Sequence, residues 1–329
     1  MKSNERILIT GGAGFIGSHL AGSLLEDGAS VAIIDNLATG RWENLAGLID
    51  HPRFHFAIAD IRDAVVLDRM VSNADTVIHL AAAVGVQLIV EDPVHTIETN
   101  IMGTEAVLKA ALRYRCKTLI TTTSEVYGKG IRTPFSEEDD VVLGATDKSR
   151  WSYAATKMVD EFLALAYHHQ YGLPVILVRL FNTVGPRQTG QYGMVVPRFV
   201  KQALNNDEIT VYGDGEQSRC FCDVQDVIVA LKALLDREEA IGTVFNVGSQ
   251  EEITIRGLAE RIQLLLGSDS KIVTVPYSDA YAPGFEDMVR RVPNTARIEK
   301  LIGWRAETKL TDIILRVAHS LDETRFHPR

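Results

Sequence analysis

The chain has 329 residues, 46% of them hydrophobic and 23% charged, an ordinary globular composition that excludes a disordered or fibrous protein. Its 34 basic and 43 acidic residues give a net charge of −9, which argues against a nucleic-acid binder, because such proteins carry basic patches that neutralise phosphates. At roughly 150 residues per domain the length suits about two domains. No apolar run approaches the ~20 residues that span a bilayer. The start, MKSNERILIT, lacks the long apolar region and small-residue cleavage site of a signal peptide. Cys116, Cys220 and Cys222 are too few for a disulfide framework, and the expectation is a cytoplasmic protein. No His/Cys cluster accompanies Cys220 and Cys222, so no metal site is expected.

In chain order, Arg6–Thr10 reads as a strand and Phe15–Glu26 as a helix with Phe15, Ile16, Leu20, Leu24 and Leu25 to one side. Strands follow at Ser30–Ile34, Phe54–Ile58 and Thr76–Leu80, then a long helix near Val94–Tyr114. Lys117–Thr121 is a fifth strand, Tyr153–Tyr171 a second long helix and Val175–Leu180 a sixth strand. Short apolar strands separated by helices imply a parallel sheet covered on both faces. After Asn182 the pattern changes to loop signals at Gly185-Pro186 and Gly190 to Gly193. Helices are expected near Val196–Leu204, Asp223–Leu235, Ile255–Leu266 and Leu310–Leu321, with strands at Thr210–Tyr212 and Thr243–Val247 and a turn at Gly213–Gly215. The fold class predicted is a Rossmann-type, doubly wound α/β sheet with a smaller interleaved lobe. The sheet domain would take residues 1–182 and about 223–249, and the lobe about 183–222 and 250–329.

Thr10-Gly-Gly-Ala-Gly-Phe-Ile-Gly17 closes the first strand and opens the first helix. Gly11 permits a tight turn, Gly14 lets backbone approach a pyrophosphate and Gly17 lets helix and sheet pack closely, with Phe15 and Ile16 between them. The helix start offers unpaired N–H groups and partial positive charge to the phosphates. Asp35, with Asn36 beside it, follows the second strand, where a carboxylate accepts from the adenosine ribose and repels a 2′-phosphate, favouring NAD over NADP. Asp60 and Ile61 follow the third strand, in reach of adenine; taken alone, Asp60 reads more readily as a loop carboxylate.

Tyr153-Ala-Ala-Thr-Lys157 sets a phenol and an ammonium at i and i+4 on one helix face. The ammonium favours the phenolate, lowering a pKa of ~10 towards neutrality. Tyr153 is thereby an acid/base for a hydroxyl proton while hydride passes to a nicotinamide. A Tyr/Lys pair is weak evidence alone; the glycine loop and Thr123 upstream give it weight.

With these pieces the chain resembles the extended short-chain dehydrogenase/reductase family, in its sugar-nucleotide epimerase, dehydratase and decarboxylase branch. The resemblance rests on TGGAGFIG at 10–17, DN at 35–36, HLAA at 79–82, TSEVYG at 123–128, YAATK at 153–157, RLFNTVGPR at 179–187 and VYGDGEQSRCF at 211–221. It implies oxidation of sugar carbon 4 by bound NAD, a transient 4-keto sugar and return of the hydride. It implies that Leu80, Ala81 and Ala82 border the cofactor, that Thr123 hydrogen-bonds the reacting hydroxyl, and that Lys157 holds the nicotinamide ribose. On the substrate side it implies Asn182 at a phosphate, Arg219 on the nucleotide diphosphate, Tyr212 beside the nucleobase or its ribose, and Arg187 in the same loop. Read singly, each has a plainer reading: a turn amide, a salt bridge, a core aromatic, a solvated loop charge.

The reaction branch turns on Thr123-Ser124-Glu125. Dehydratases resemble Thr-Asp-Glu there, whereas Thr-Ser-Glu resembles decarboxylases acting on UDP-glucuronate, with Ser124 and Glu125 near the departing carboxylate. Those enzymes carry an Arg two residues before a Pro, matched here by Arg291 and Pro293. Such an Arg orients the carboxylate and stabilises enolate charge. Ala83–Gln87 and Asp147–Ser152 depart from the reference patterns. A 4-epimerase of a hexose or uronic acid remains the alternative reading, with a 4,6-dehydratase or a non-catalytic nucleotide sensor behind it. The expected partner is a UDP-linked sugar, and the resemblance implies a homodimer through the helices near 94–114 and 153–171.

Overall fold

The computed structural model describes residues 5–85, 92–148, 150–190, 194–280 and 288–322. Residues 86–87, 149, 191–193 and 284–287, which the readings of Ala83–Gln87, Asp147–Ser152, the Gly190–Gly193 loop and the stretch before Arg290 touch, lie outside the described residues.

Seven strands form one parallel sheet: β1 (Arg6–Thr10), β2 (Ser30–Asp35), β3 (Phe54–Ile58), β4 (Thr76–His79), β5 (Lys117–Thr123), β6 (Val175–Leu180) and β11 (Thr243–Val247). Their order is β11-β6-β5-β4-β1-β2-β3. The chain leaves β1 in one direction to β2 and β3 and later in the other to β4, β5 and β6. A crevice therefore opens between the carboxyl ends of β1 and β4, where doubly wound sheets bind ligands. Strands β1, β2 and β6 are rich in Ile, Leu and Val because both faces are covered, whereas β3, at the edge, leaves Phe56 and Ile58 exposed. Helices Phe15–Glu26 and Val224–Leu235 bury Leu20, Leu24, Val227 and Leu231 against one face. Helices Pro93–Tyr114 and Arg150–Tyr171 bury Val107, Leu108, Ala111 and Ala164 against the other.

A second core lies in smaller sheets and three helices. Strands β7 (Thr183–Val184) and β10 (Cys222–Asp223) pair, as do β8 (Ile209–Tyr212) and β13 (Ile272–Val275). Strand β9 (Ser218–Cys220) lies between β12 (Glu252–Thr254) and β14 (Arg290–Arg291). Helices Val195–Asn205, Ile255–Leu266 and Leu310–Leu321 contribute Phe199, Leu258, Ile262, Ile313 and Ile314 to this core. The segment Ala296–Ile302, expected in the smaller lobe, instead sets Ile298, with Trp304 after it, in the core of the large sheet. Helix Ala64–Val71, capped by the Asp63 carboxylate on the N–H groups of Val65 and Val66, is an element beyond those expected from the sequence. Among the described residues no helix is long and apolar enough to cross a membrane. The three cysteines are buried and free.

Candidate functional site

The turn after β1 is built around glycines that tolerate no side chain. Gly11 has φ +71°, and a Cβ there would stand 2.8 Å from the Ala81 nitrogen. A Cβ on Gly17 would stand 2.3 Å from the Gly11 carbonyl oxygen. The following helix starts at Phe15 after Gly14 with no side-chain cap, which leaves its first N–H groups for an anion. Asp35, at the end of β2, accepts from Ala13 N at 2.9 Å and Leu37 N at 2.8 Å. Burial pushes its carboxyl up and those backbone donors oppose the push. Each oxygen keeps a further lone pair for a ribose hydroxyl. Asp60 is gripped by Arg62 through two guanidinium nitrogens at 2.9 Å, and Asn36 donates to it at 3.2 Å. The Arg62 hydrogen bond leads the causes that hold the Asp60 carboxyl down at about 2. These features fit a dinucleotide with a free 2′-hydroxyl.

The loop after β4 forms the next wall. His79 is buried between the Thr10 hydroxyl at 2.7 Å and the Thr104 hydroxyl at 3.0 Å. Burial, with the Lys157 charge adding, pushes its imidazole down to about 3, so it is neutral. Asn100 clamps the Ala83 backbone from both sides, accepting from its N–H at 2.8 Å and donating to its carbonyl at 3.2 Å. The same amide donates to Thr156 at 3.2 Å, fixing this loop to the helix that carries Tyr153.

One cleft of about 510 Å³ is lined by Gly11, Gly14, Phe15, Ile16, Gly17, Asp35, Asn36, Asp60, Ile61 and Leu80–Ala82. Thr123, Ser124, Glu125, Tyr153 and Lys157 line it as well, as do Asn182, Arg187, Tyr212, Arg219 and Arg291. Every residue singled out from sequence therefore faces one space. Thr123 ends β5, and its hydroxyl accepts from Glu125 N at 3.2 Å. Tyr153 is buried, and the Lys157 ammonium lies 2.8 Å from Asp160, a carboxylate with no solvent exposure.

Strands β9 and β14 run parallel with Arg219 and Arg291 in register, so two guanidinium groups enter the cleft side by side. Arg291 reaches Glu125 Oε1 at 3.3 Å and Asn182 Oδ1 at 2.5 Å. Asn182 also donates to the Cys220 carbonyl at 2.9 Å, tying β9 to the end of β6. Arg187, expected on the substrate side, points its guanidinium at Ser18 Oγ, 3.3 Å away in the first turn of the glycine-loop helix. It has φ +69°, and burial lowers its pKa. Arg198, Gln217 and Tyr277 line the cleft and escaped the sequence reading. Arg198 lies 4.0 Å over the Tyr212 ring, and Gln217 donates to the Tyr277 hydroxyl at 2.9 Å. Only the position of Arg198 at the start of a helix beside a Gly-rich loop could have marked it. Four arginines thus converge on a chain of net charge −9, an arrangement suited to a diphosphate and a carboxylate. Among the described residues no His/Cys/Asp/Glu group could hold a metal ion.

The GDP-mannose 4,6 dehydratase family matches the chain over residues 8–317. A UDP-N-acetyl-alpha-D-glucosaminuronate decarboxylase of Bacillus cytotoxicus is 45% identical over 301 residues, 90% of this chain and 91% of the relative. UDP-glucuronic acid decarboxylase 1 of Arabidopsis thaliana is 35% identical over 318 residues, 96% of this chain and 69% of that protein. A UDP-glucuronic acid 4-epimerase from Bacillus cereus, solved with UDP-glucuronic acid and NAD, superposes with a TM-score of 0.88 at 28% identity, over 97% of this chain and 99% of that one.

Proposed function

Because the chain belongs to the GDP-mannose 4,6 dehydratase family, we propose that it is an NAD-dependent decarboxylase of a UDP-linked hexuronate, UDP-glucuronate or its 2-acetamido counterpart. The observation that carries this reading is Arg291, held between Glu125 and Asn182 inside the cleft that Thr123 and Tyr153 line. A guanidinium at that place suits the carboxylate of a uronic acid. The decarboxylase relatives from Bacillus cytotoxicus and Arabidopsis thaliana support the choice.

NAD, when bound along the glycine loop and Asp35, supplies a reversible hydride acceptor for sugar carbon 4. Thr123 hydrogen-bonds the carbon-4 hydroxyl and Tyr153 takes its proton, with the Lys157 charge favouring the phenolate. The resulting ketone makes the carbon-6 carboxylate a β-keto acid, which loses carbon dioxide readily. Arg291 orients that carboxylate, and afterwards its charge lies beside the enolate. Glu125 and Ser124 border the vacated position, where water held beside them gives carbon 5 of the enolate the proton that restores the 4-ketone; Tyr153 then returns its own proton to the carbon-4 oxygen as that carbon is re-reduced. Arg219 takes the diphosphate, and Tyr212, stacked under Arg198, sits at the nucleoside end. Arg187, beside Ser18, serves the cofactor phosphates.

The test is incubation of purified protein with each uronate, with proton NMR of the sugar and assay of carbon dioxide. A pentose product with gas supports the reading; a galacturonate-type product without gas establishes a 4-epimerase. The epimerase reading draws on the Bacillus cereus neighbour, which was solved with the same class of sugar. In it Arg291 holds a carboxylate that is never lost.

We assign the protein to the cytoplasm on its three free cysteines, and to a homodimer. Val94, Ile97 and Met102 on one long helix and Val159 and Phe162 on the other are exposed apolar residues. Two copies packing these helices would cover them. Light scattering at micromolar protein should give twice the chain mass, and Phe162→Glu should give a monomer. The division proposed for the lobes keeps residues 1–182 and about 223–249 with the sheet, and adds 296–304 to it.

A further inference from the structure

Lys157, one turn after Tyr153 and lining the same cleft, is held by a carboxylate of its own helix. Its ammonium donates to Asp160 Oδ2 at 2.8 Å, and the two side chains are 3% and 0% exposed. The other oxygen, Asp160 Oδ1, is buried and has no hydrogen-bond partner among the described residues. A buried carboxylate with an unsatisfied oxygen is costly to the fold, so its retention calls for a reason. Packing supplies none, since an apolar side chain of similar size would fill the same space without that penalty.

Among the described residues, Lys157 is the cation that pairs with Asp160. From β4, His79 is neutral. From helix Pro93–Tyr114, Asn100 and Thr104 are uncharged and are bonded to Thr156 and His79. The next residue of the same helix, Glu161, is bound to Arg179 of β6 at 2.7 Å, with Tyr127 on the far side of that guanidinium. Across the cleft Glu125 is matched by Arg291. Lys157 and Asp160 are therefore one neutral unit set into the wall behind Tyr153.

We propose that Asp160 is the positioning residue for Lys157. It keeps the ammonium charged and aimed in a site from which water is excluded, so that Lys157 can favour the Tyr153 phenolate. A buried ammonium without a counter-charge is relieved most cheaply by giving up its proton, and the attraction for the phenolate goes with it. This inference rests on the reading of Tyr153 and Lys157 as the acid/base pair.

The experiment is the pH profile of kcat/KM for UDP-hexuronate turnover in wild type, Asp160→Asn, Asp160→Glu and Tyr153→Phe. In Asp160→Asn the acid limb should move up by one pH unit or more, a loss of tenfold or more near neutrality. Asp160→Glu, which keeps the charge, should keep most of the wild-type limb. A folded Asp160→Asn whose limb stays within 0.3 of the wild-type position, or moves down, overturns the proposal. Full activity in Tyr153→Phe would overturn the acid/base reading itself, independently of Asp160. Should Asp160→Asn fail to fold, wild-type protein labelled with nitrogen-15 at the lysine side chains decides the matter. A slowly exchanging ammonium signal at pH 7, absent from Lys157→Met, supports the proposal, and a neutral amine there overturns it.

Discussion

Glu161→Ala should be among the most damaging single changes outside the cleft. Glu161 accepts from Arg179 Nε at 3.0 and 3.2 Å, from Arg179 Nη2 at 2.7 Å and from the Thr122 hydroxyl at 2.6 Å. The two charged side chains are 8% and 7% exposed, so solvent screens them little. Removing one partner of a buried pair costs about 3–5 kcal/mol, because the other charge stays behind. The Thr122 hydroxyl loses its acceptor, roughly 1 kcal/mol more. The Tyr127 ring, 4.7 Å from the guanidinium carbon, offsets roughly 1 kcal/mol of this by cation–π attraction. The net expectation is about 3–5 kcal/mol, read as a fall in the urea midpoint of the cofactor-stripped protein at unchanged slope. A double replacement, Glu161→Leu with Arg179→Met, should recover most of the loss, since a neutral filling leaves no stranded charge. A loss below about 1 kcal/mol in Glu161→Ala, or a double variant no better than the single one, would refute the account.

Three further outcomes are expected. His79 is pushed down to about 3 in the fold, while an unfolded chain takes up its proton near 6.5. The unfolded state therefore binds more protons below that pH, and this group removes about 1.4 kcal/mol of stability per pH unit between about pH 6 and 4. His79→Gln should show a visibly shallower fall across that window in urea titrations, and an unchanged slope would count against the assignment. Gly17→Ala drives a methyl against the Gly11 carbonyl, so the protein should purify without NAD, as read from the absorbance of the denatured supernatant; full retention would contradict the cofactor site. Arg291→Lys keeps a charge and loses the guanidinium fork, and should lower kcat/KM for uronate decarboxylation about 10–100-fold, the worth of one or two charge-assisted hydrogen bonds; unchanged kinetics would remove Arg291 from the site.

Strands β1 and β6 were legible because burial on both faces writes them as short apolar runs, as at Ile7–Ile9 and Val175–Leu177, set between turn signals. The glycine turn was legible because only glycine meets its steric demands at Gly11 and Gly17. The smaller lobe was not, since β7, β10 and β14 have two residues each and carry no periodicity. Their pairing is set by partners distant in the chain. Arg187 illustrates the same limit from another side. Its motif named it, but the left-handed backbone that turns it towards Ser18 leaves no trace in composition. Asp160 stood in plain view three residues after Lys157, and only burial shows that the two charges have each other and little else.

The doublet Arg290–Arg291 carries a consequence for how the cleft tolerates error. Successive side chains of a strand point to opposite sides, and here Arg291 enters the cleft while Arg290 is exposed and bound to Glu252 at 2.7 Å. The alignment is pinned by Phe135, whose N–H donates to Val292 O at 2.8 Å and whose carbonyl accepts from Asn294 N at 2.8 Å. A shift of one residue in one direction would bring Val292 opposite Arg219 and leave the uronate unanchored. In the other direction it would bring Arg290 there, and a guanidinium would still meet the substrate. The doubled arginine thus makes the site tolerant of a frame slip in one sense only.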